Sequence, residues 1–228
     1  TRMCAYARKY RAEGILNTDW GDCGHVNYPA FSVPGMIYGA CFSWNPSEIG
    51  FDEINKQISR LEYGDNSGTL VGLMAQISNY SKFDWWAANI FYEKYVLGHE
   101  PDDKLLPDAV QKEEGVVQAN QKLCDVMRQM KQTAANMNPH TRPIIAEFDL
   151  AVEAIRIWNM VGTMLAVKER GEDWDEAKAY ELASRIERWF MAYKQQWRAV
   201  SREGDLHHIA EIVFWYADCL RNRTNVVL

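Results

Sequence analysis

A short segment near the start of the chain carries the residue types that bind neutral sugars. Residues 17–22 read NTDWGD, so Trp20 lies between the carboxylates of Asp19 and Asp22 and beside a glycine. An indole stacks on the C–H face of a sugar ring, and a carboxylate forms strong charge-assisted hydrogen bonds with sugar hydroxyls. The pattern therefore predicts a carbohydrate contact. An Asx-type turn with a buried indole is the structural alternative.

The same segment also contains side chains with the chemistry of metal ligands. Asp19, Asp22 and His25 are spaced by three residues, and carboxylate and imidazole groups are common ligands. Because this spacing on a loop is weak evidence, the sequence predicts no bound metal, and it predicts no other cofactor.

Two further groups have competing interpretations. His207-His208 followed by Glu211 has a spacing that can bind metal on a helix, but such residues more often form a surface pair. The adjacent indoles of Trp85 and Trp86 are more often core residues than a sugar platform. Neither group is predicted to be the main site.

Two patterns in the first 45 residues resemble one known family. The first is TDWGD-x-GH over residues 18–25, and the second is PG-x-x-YGA-x-x-SW over residues 34–44. Together they resemble the end of the catalytic barrel of family 20 glycoside hydrolases, in the branch of β-N-acetylhexosaminidases with a TDWGD-x-GH loop. A looser similarity, from Tyr193 to Leu206, resembles the helical tail that follows that barrel.

The resemblance implies a role for each residue of the loop. Trp20 would form one wall of the pocket that holds a terminal N-acetylhexosamine, and Asp22 would bind hydroxyls of that sugar. Asp19 and His25 would orient the loop and take no part in the reaction. The implied partner is thus a carbohydrate substrate.

The resemblance also implies a substrate-assisted, retaining mechanism that needs an adjacent Asp-Glu pair. Glu protonates the leaving oxygen, and Asp orients the 2-acetamido group, which attacks the anomeric carbon. The Asp-Glu pairs at 52–53 and 175–176 lie at polar helix starts, where acidic side chains match the helix dipole. The catalytic pair is therefore expected upstream. The chain would be an inactive C-terminal fragment of an exo-glycosidase that removes terminal N-acetylglucosamine or N-acetylgalactosamine.

The elements that position the loop fall into two predicted domains. Residues 1–46 are rich in Gly, Pro and aromatic residues and predict a short strand near 14–19 and an apolar helix over 34–44. With the resemblance, they predict the last strand and helix of a (β/α)8 barrel, whose apolar surfaces should look under-covered in isolation. Residues 47–228 predict an all-α C-terminal domain, so the fold class is mainly α.

Apolar residues at helical spacing predict the core of the second domain. Long antiparallel helices should bury Trp158, Trp189 and Trp197. A further helix is predicted from Asp108 to about Met137. Its predicted inner stripe is Val110, Val117, Cys124 and Met127 or Met130.

Composition excludes some function classes. The chain has 228 residues and a net charge of −6, so neither nucleic acid nor an anionic membrane would meet a basic surface. The five cysteines are scattered and predict neither a disulfide scaffold nor a zinc ribbon. The sequence begins at Thr1 within a predicted helix, which favours a piece of a longer protein, and no compartment is predicted.

Two alternatives to the enzyme hypothesis remain open at this point. The chain could be a helical interaction or carbohydrate-binding module without catalytic activity, or a bundle metalloprotein. The helical domain is expected to support the barrel, or else to form a homodimer.

Overall fold

The computed structural model describes residues 2–21, 26–45, 49–99, 106–204 and 206–223. These residues form a mainly α structure with nine α-helices and several short 3₁₀ turns. The helices are α1 (Arg2–Lys9), α2 (Val33–Trp44), α3 (Phe51–Leu61), α4 (Leu70–Ile77), α5 (Trp85–Leu97), α6 (Glu113–Thr133), α7 (Ile144–Glu169), α8 (Glu176–Val200) and α9 (Leu206–Leu220).

The strand predicted near residues 14–19 is not formed. Residues 12–21 contain neither helix nor strand, and residues 8–21 are all exposed. A strand is defined by hydrogen bonds to a neighbouring strand, and the described residues contain none that could pair with it. The β-compatible run therefore lies on the surface without forming a strand.

Helix α2 matches the predicted helix over 34–44. Pro34 occupies its first turn, where a missing N–H costs nothing. Phe42 is its one buried side chain, and the ring of Phe51 at the start of α3 packs edge-on against it at 5.3 Å. Trp44 at its end is 87% exposed. The helix is thus mainly apolar yet poorly covered, as the sequence predicts.

The long C-terminal helices enclose the larger of two hydrophobic clusters. Consecutive helices α6, α7, α8 and α9 each pack on the next, and short connections between packed neighbours make them antiparallel. Trp158, Trp189 and Trp197 are all buried in this cluster, which confirms their predicted place in the core. The second cluster joins α3 and α4 to one side of α6 and the start of α7.

Helix α7 is the central element of this arrangement. By length and hydropathy it could cross a membrane, but half of its apolar window is buried inside the structure. In the described structure α7 is a core helix, and a buried core helix can have the length and hydropathy of a membrane-spanning one.

Helix α6 differs from its prediction in length and in face. It is shorter than predicted because 3₁₀ turns occupy residues 108–110 and 134–136. Val117 was predicted to face inward but is 59% exposed, while its neighbour Val116 is buried. The inner stripe is therefore set one residue earlier at the start of the helix, whereas Met127 and Met130 are buried as predicted.

The segment before α2 is part of the helical core. Tyr28 is buried, and its hydroxyl donates to the backbone oxygen of Tyr193 on α8 at 3.3 Å. The hydroxyl of Tyr193 in turn donates to the backbone oxygen of Val26 at 3.0 Å. This reciprocal pair holds residues 26–28, which precede α2, against α8.

Candidate functional site

The predicted sugar-binding loop is attached to the first turns of α2. The Asn17 side-chain amide donates to the backbone oxygen of Gly35 at 3.1 Å. The Ser32 hydroxyl donates to the carboxylate of Asp19. A Cβ at Gly39 would lie 2.8 Å from Cγ of Asn17, so the absence of a side chain there permits the close approach.

These contacts leave the indole of Trp20 in solvent. Its Nε1 donates to the hydroxyl of Thr18 at 3.0 Å, and 72% of the residue is exposed. The alternative of a turn around a buried indole is therefore wrong. Since the indole N–H is bonded within the loop, a ring face is presented in a defined orientation.

Trp20 lines a cleft of about 560 Å³ together with residues from the helical core. This size is typical of small-molecule sites. The aromatic lining comes from several elements and comprises Trp20, Tyr28, Phe83, Trp85, Trp86, Trp158, Trp189 and Tyr193. The polar lining consists of Asn27, Ser78, Ser81 and Asp84. Aromatic faces beside hydroxyl, amide and carboxylate groups are suited to a neutral, hydroxyl-rich ligand.

The helical side of the cleft is held by a buried amide on α7. Asn159 accepts hydrogen bonds from the backbone N–H groups of Lys82 at 2.6 Å and Phe83 at 3.4 Å. It donates to the backbone oxygen of Tyr80 and to the side-chain oxygen of Asn120, both at 2.9 Å. The segment between α4 and α5 is therefore fixed to α6 and α7.

Helix α5 begins at the cleft because of a side-chain cap. The carboxylate of Asp84 accepts a hydrogen bond from the N–H of Ala87 at 2.8 Å, which satisfies one of the free donors of the first turn. The ring of Trp85 then packs edge-on against that of Trp158, with 5.5 Å between the ring centroids. Trp86 is more exposed to solvent.

Burial raises the pKa of two phenols in the cleft lining and of one carboxyl group outside it. Burial, and secondarily the charge of Glu147, raises the pKa of the Tyr28 phenol far above its usual value. Burial, then the neighbouring Tyr28, does the same for the pKa of Tyr193. A phenol with its usual pKa of about 10 is already neutral at physiological pH, and the raised values keep both hydroxyls protonated, as hydrogen-bond donors, into the alkaline range. Burial also raises the pKa of the Glu147 carboxyl, against a weak opposing hydrogen bond from Gln196.

The other sequence candidates occupy separate places. Asp22 and His25 lie outside the residues that the structure describes. In the described part of the chain, no group of three His, Cys, Asp or Glu side chains could hold a metal. His208 lies 3.8 Å from Glu211 and forms a surface pair with it, while His207 approaches the backbone oxygen of Gly204 at 3.3 Å.

The Asp-Glu pairs lie at helix starts, as expected. Asp52 and Glu53 are in the first turn of α3. Asp175 caps α8 by accepting from the N–H groups of Ala177 and Lys178. Neither pair lines the cleft.

Several cleft residues were missed from the sequence. Tyr28, Phe83 and Ser81 are not singled out as site residues by the sequence, and only tertiary packing brings them to Trp20. Trp85 and Trp86 were recognised as a possible sugar platform, but the sequence favoured a place in the core for both. That expectation is wrong for Trp86, which is 57% exposed.

Comparisons with known proteins do not assign the chain to a family. A scan against family models and searches of curated proteins and of solved structures find no match.

Proposed function

We propose that this chain supplies one wall of the sugar pocket of an exo-acting β-N-acetylhexosaminidase. In this proposal residues 1–46 are the end of a (β/α)8 barrel, with the last strand and helix, and residues 47–228 are its helical C-terminal domain. The motifs of residues 18–25 and 34–44 are the sequence basis for the family.

The observation that carries the proposal is the exposed, oriented indole of Trp20. Hydrogen bonds from Trp20 to Thr18 and from Ser32 to Asp19 fix the loop, and the ring borders an aromatic cleft. A ligand bound in this cleft would remove the ring and the other aromatic faces from water together. A sugar ring has a C–H face that fits this surface.

The poor cover of α2 supports the barrel part of the proposal. Leu16 and Trp44 are each 87% exposed, and residues 12–21 pair with no other strand in the part of the chain that the structure describes. An adjoining strand and barrel helices would cover both features. In that setting the run would become the last barrel strand, and the loop after it would face the active site, as in barrel enzymes generally.

In the proposed reaction this chain binds and orients the substrate. Trp20 would stack on the terminal N-acetylhexosamine, and Asp22 would accept hydrogen bonds from its hydroxyls. Asp19, bonded to Ser32, and His25 would orient the loop. The glycosidic C–O bond would break as an upstream Glu protonates the leaving oxygen, while the acetamido oxygen bonds to the anomeric carbon and water later replaces it.

The test is hydrolysis by the complete gene product, with aryl β-N-acetylglucosaminide and β-N-acetylgalactosaminide as substrates. Trp20→Ala and Asp22→Asn should each lower kcat/KM by about 10- to 100-fold, because each removes a contact to the bound sugar. Tyr180→Ala, an exposed aromatic residue on α8 outside the cleft lining, is the matched control and should keep wild-type rates. Unchanged rates in both loop variants would contradict the proposal.

A carbohydrate-binding module without catalysis is the second candidate. It is favoured by the large share of the cleft lining that comes from the helical core, including Ser81, Trp85 and Trp86. A gene product that binds N-acetylglucosamine but hydrolyses neither substrate would support this candidate over the enzyme.

A further inference from the structure

A second exposed indole borders the same cleft as Trp20. Trp86 is the second residue of α5 and is 57% exposed. Its neighbour Trp85 is half-buried against Trp158. The two adjacent tryptophans therefore have different surroundings, because one anchors the helix start and the other presents its ring to solvent.

Trp86 has hydrogen-bonding groups beside it on the same wall. Ser78, Ser81 and Asp84 line the cleft together with this indole. Asp84 uses one carboxylate oxygen to cap α5 through Ala87, and a carboxylate has a second oxygen that can accept from a ligand hydroxyl. This wall thus repeats the combination of aromatic face and polar groups found at Trp20.

The wall is also rigid, which a stacking platform requires. Asn159 fixes the backbone of Lys82 and Phe83 directly before α5, and the Asp84 cap fixes the first turn. A platform that is already ordered loses little entropy when a ligand binds.

We propose that Trp86 is the stacking platform for a second sugar, the one on the leaving-group side of the bond that is cleaved. This inference rests on the proposed function, in which Trp20 holds the terminal N-acetylhexosamine. It gives the helical domain a role in substrate choice beyond support of the barrel: a preference for oligosaccharides over substrates with a small leaving group.

The experiment compares occupancy by one sugar with occupancy by two. In the complete gene product, inhibition by free N-acetylglucosamine reports the terminal site alone. The value of kcat/KM for N,N′-diacetylchitobiose reports both sites. The variants are Trp86→Ala, Trp86→Phe and Trp20→Ala, with Tyr180→Ala on α8 as the exposed aromatic control.

Trp86→Ala should lower kcat/KM for the disaccharide by about tenfold, the effect of one lost aromatic stacking contact. It should leave the inhibition constant of the monosaccharide within about twofold of wild type. Trp86→Phe keeps an aromatic face and should recover most of the disaccharide activity. Trp20→Ala should weaken both measurements.

Three results would overturn the inference. One is wild-type activity of Trp86→Ala on the disaccharide, and another is an equal loss in both measurements. The third is a Trp86→Phe variant no better than Trp86→Ala, which would mean that the ring face is not what matters. Each of these leaves the proposed function intact if Trp20→Ala still weakens monosaccharide binding. If Trp20→Ala weakens neither measurement, the proposed function itself fails.

Discussion

Asp65, in the turn between α3 and α4, shows how one buried carboxylate can organise a connection. It is fully buried and accepts four hydrogen bonds, two from Ser67 and one each from the N–H groups of Thr69 and Leu70. Burial alone would raise its pKa, but the bonds from Ser67, Leu70 and Thr69 outweigh burial and lower it. The charged form is thus the one that the folded chain stabilises.

We therefore expect Asp65→Asn to lower the free energy of unfolding by about 2 kcal/mol at neutral pH, since bonds to a charged acceptor are lost. Because the folded pKa is lowered, the contribution of Asp65 is complete above the unfolded pKa and is lost as the pH falls through the folded value. Urea unfolding from neutral pH down into the acid range measures this. The variant and the wild type should converge in acid, while Asp52→Asn, on an exposed first turn, should change stability by less than about 0.5 kcal/mol. A constant difference at every pH would contradict this account.

Asn159 gives a prediction that distinguishes donor from acceptor. Asn159→Asp keeps the oxygen that accepts from Lys82 but loses the donor to Tyr80 and Asn120. The backbone oxygen of Tyr80 and the side-chain oxygen of Asn120 would then face a buried carboxylate. We therefore expect the free energy of unfolding, measured by thermal or urea unfolding at neutral pH, to fall by about 3 kcal/mol. Acidification should reverse part of the loss as the new carboxyl takes up a proton. An equal loss at acid and neutral pH would mean that the side-chain donor is not important.

At the scale of elements, α7 approaches the segment before α5 through a glycine. A Cβ at Gly162 would lie 2.7 Å from Cβ of Phe83 and 2.9 Å from Cγ1 of Val110, both of which are fully buried. Real Cβ atoms do not approach so closely, so these elements must separate if the glycine is replaced. Phe83 also lines the aromatic cleft, and the displacement would reach the candidate site.

Gly162→Ala should therefore destabilise the chain by about 1–3 kcal/mol through overpacking. Gly115→Ala on α6 is the matched control, because a Cβ there meets nothing within 4 Å. It should stabilise by about 0.5–1 kcal/mol, since alanine loses less backbone entropy in a helix. Urea unfolding of both variants decides the point. Equal effects of the two substitutions would contradict the contact at Gly162.

The elements also show what the sequence can and cannot predict. Helix positions and the burial of Trp158, Trp189 and Trp197 follow from a local period of 3.6 residues. The prediction of the buried face of α6 was wrong at Val117. Adjacent valines 116 and 117 fit the helical period almost equally, and only the packing on α7 selects between them. The strand near 14–19 failed because strand formation depends on a neighbouring strand, which local pattern does not supply.

The candidate site divides in the same way. Trp20 and Asp19 were identifiable from residue type and spacing within one loop. The contributions of Tyr28, Phe83 and Ser81 were not, because α7 and α8 bring together segments that are far apart in sequence. A local motif thus predicts one wall of the cleft, while the tertiary fold determines the other.

At the scale of the whole molecule, the surface around α2 exposes several apolar side chains. Leu16, Met36 and Trp44 all lie in solvent there. Exposed apolar surface of this kind drives association until it is covered. If it is the surface that the rest of a barrel would cover, the 228-residue chain on its own should associate through it.

We expect sedimentation velocity of the isolated 228-residue chain to show concentration-dependent self-association, and Trp44→Glu to shift it toward monomer, because a charge cannot be buried there without a partner. Met191→Glu is the control, because Met191 is an exposed apolar residue on α8, away from α2 in sequence. It should leave the association unchanged. If Met191→Glu abolishes association and Trp44→Glu does not, the chain dimerises through its helical domain instead. A wild-type chain that stays monomeric at every concentration would show that α2 needs no cover, which would remove the support that its exposure gives to the barrel.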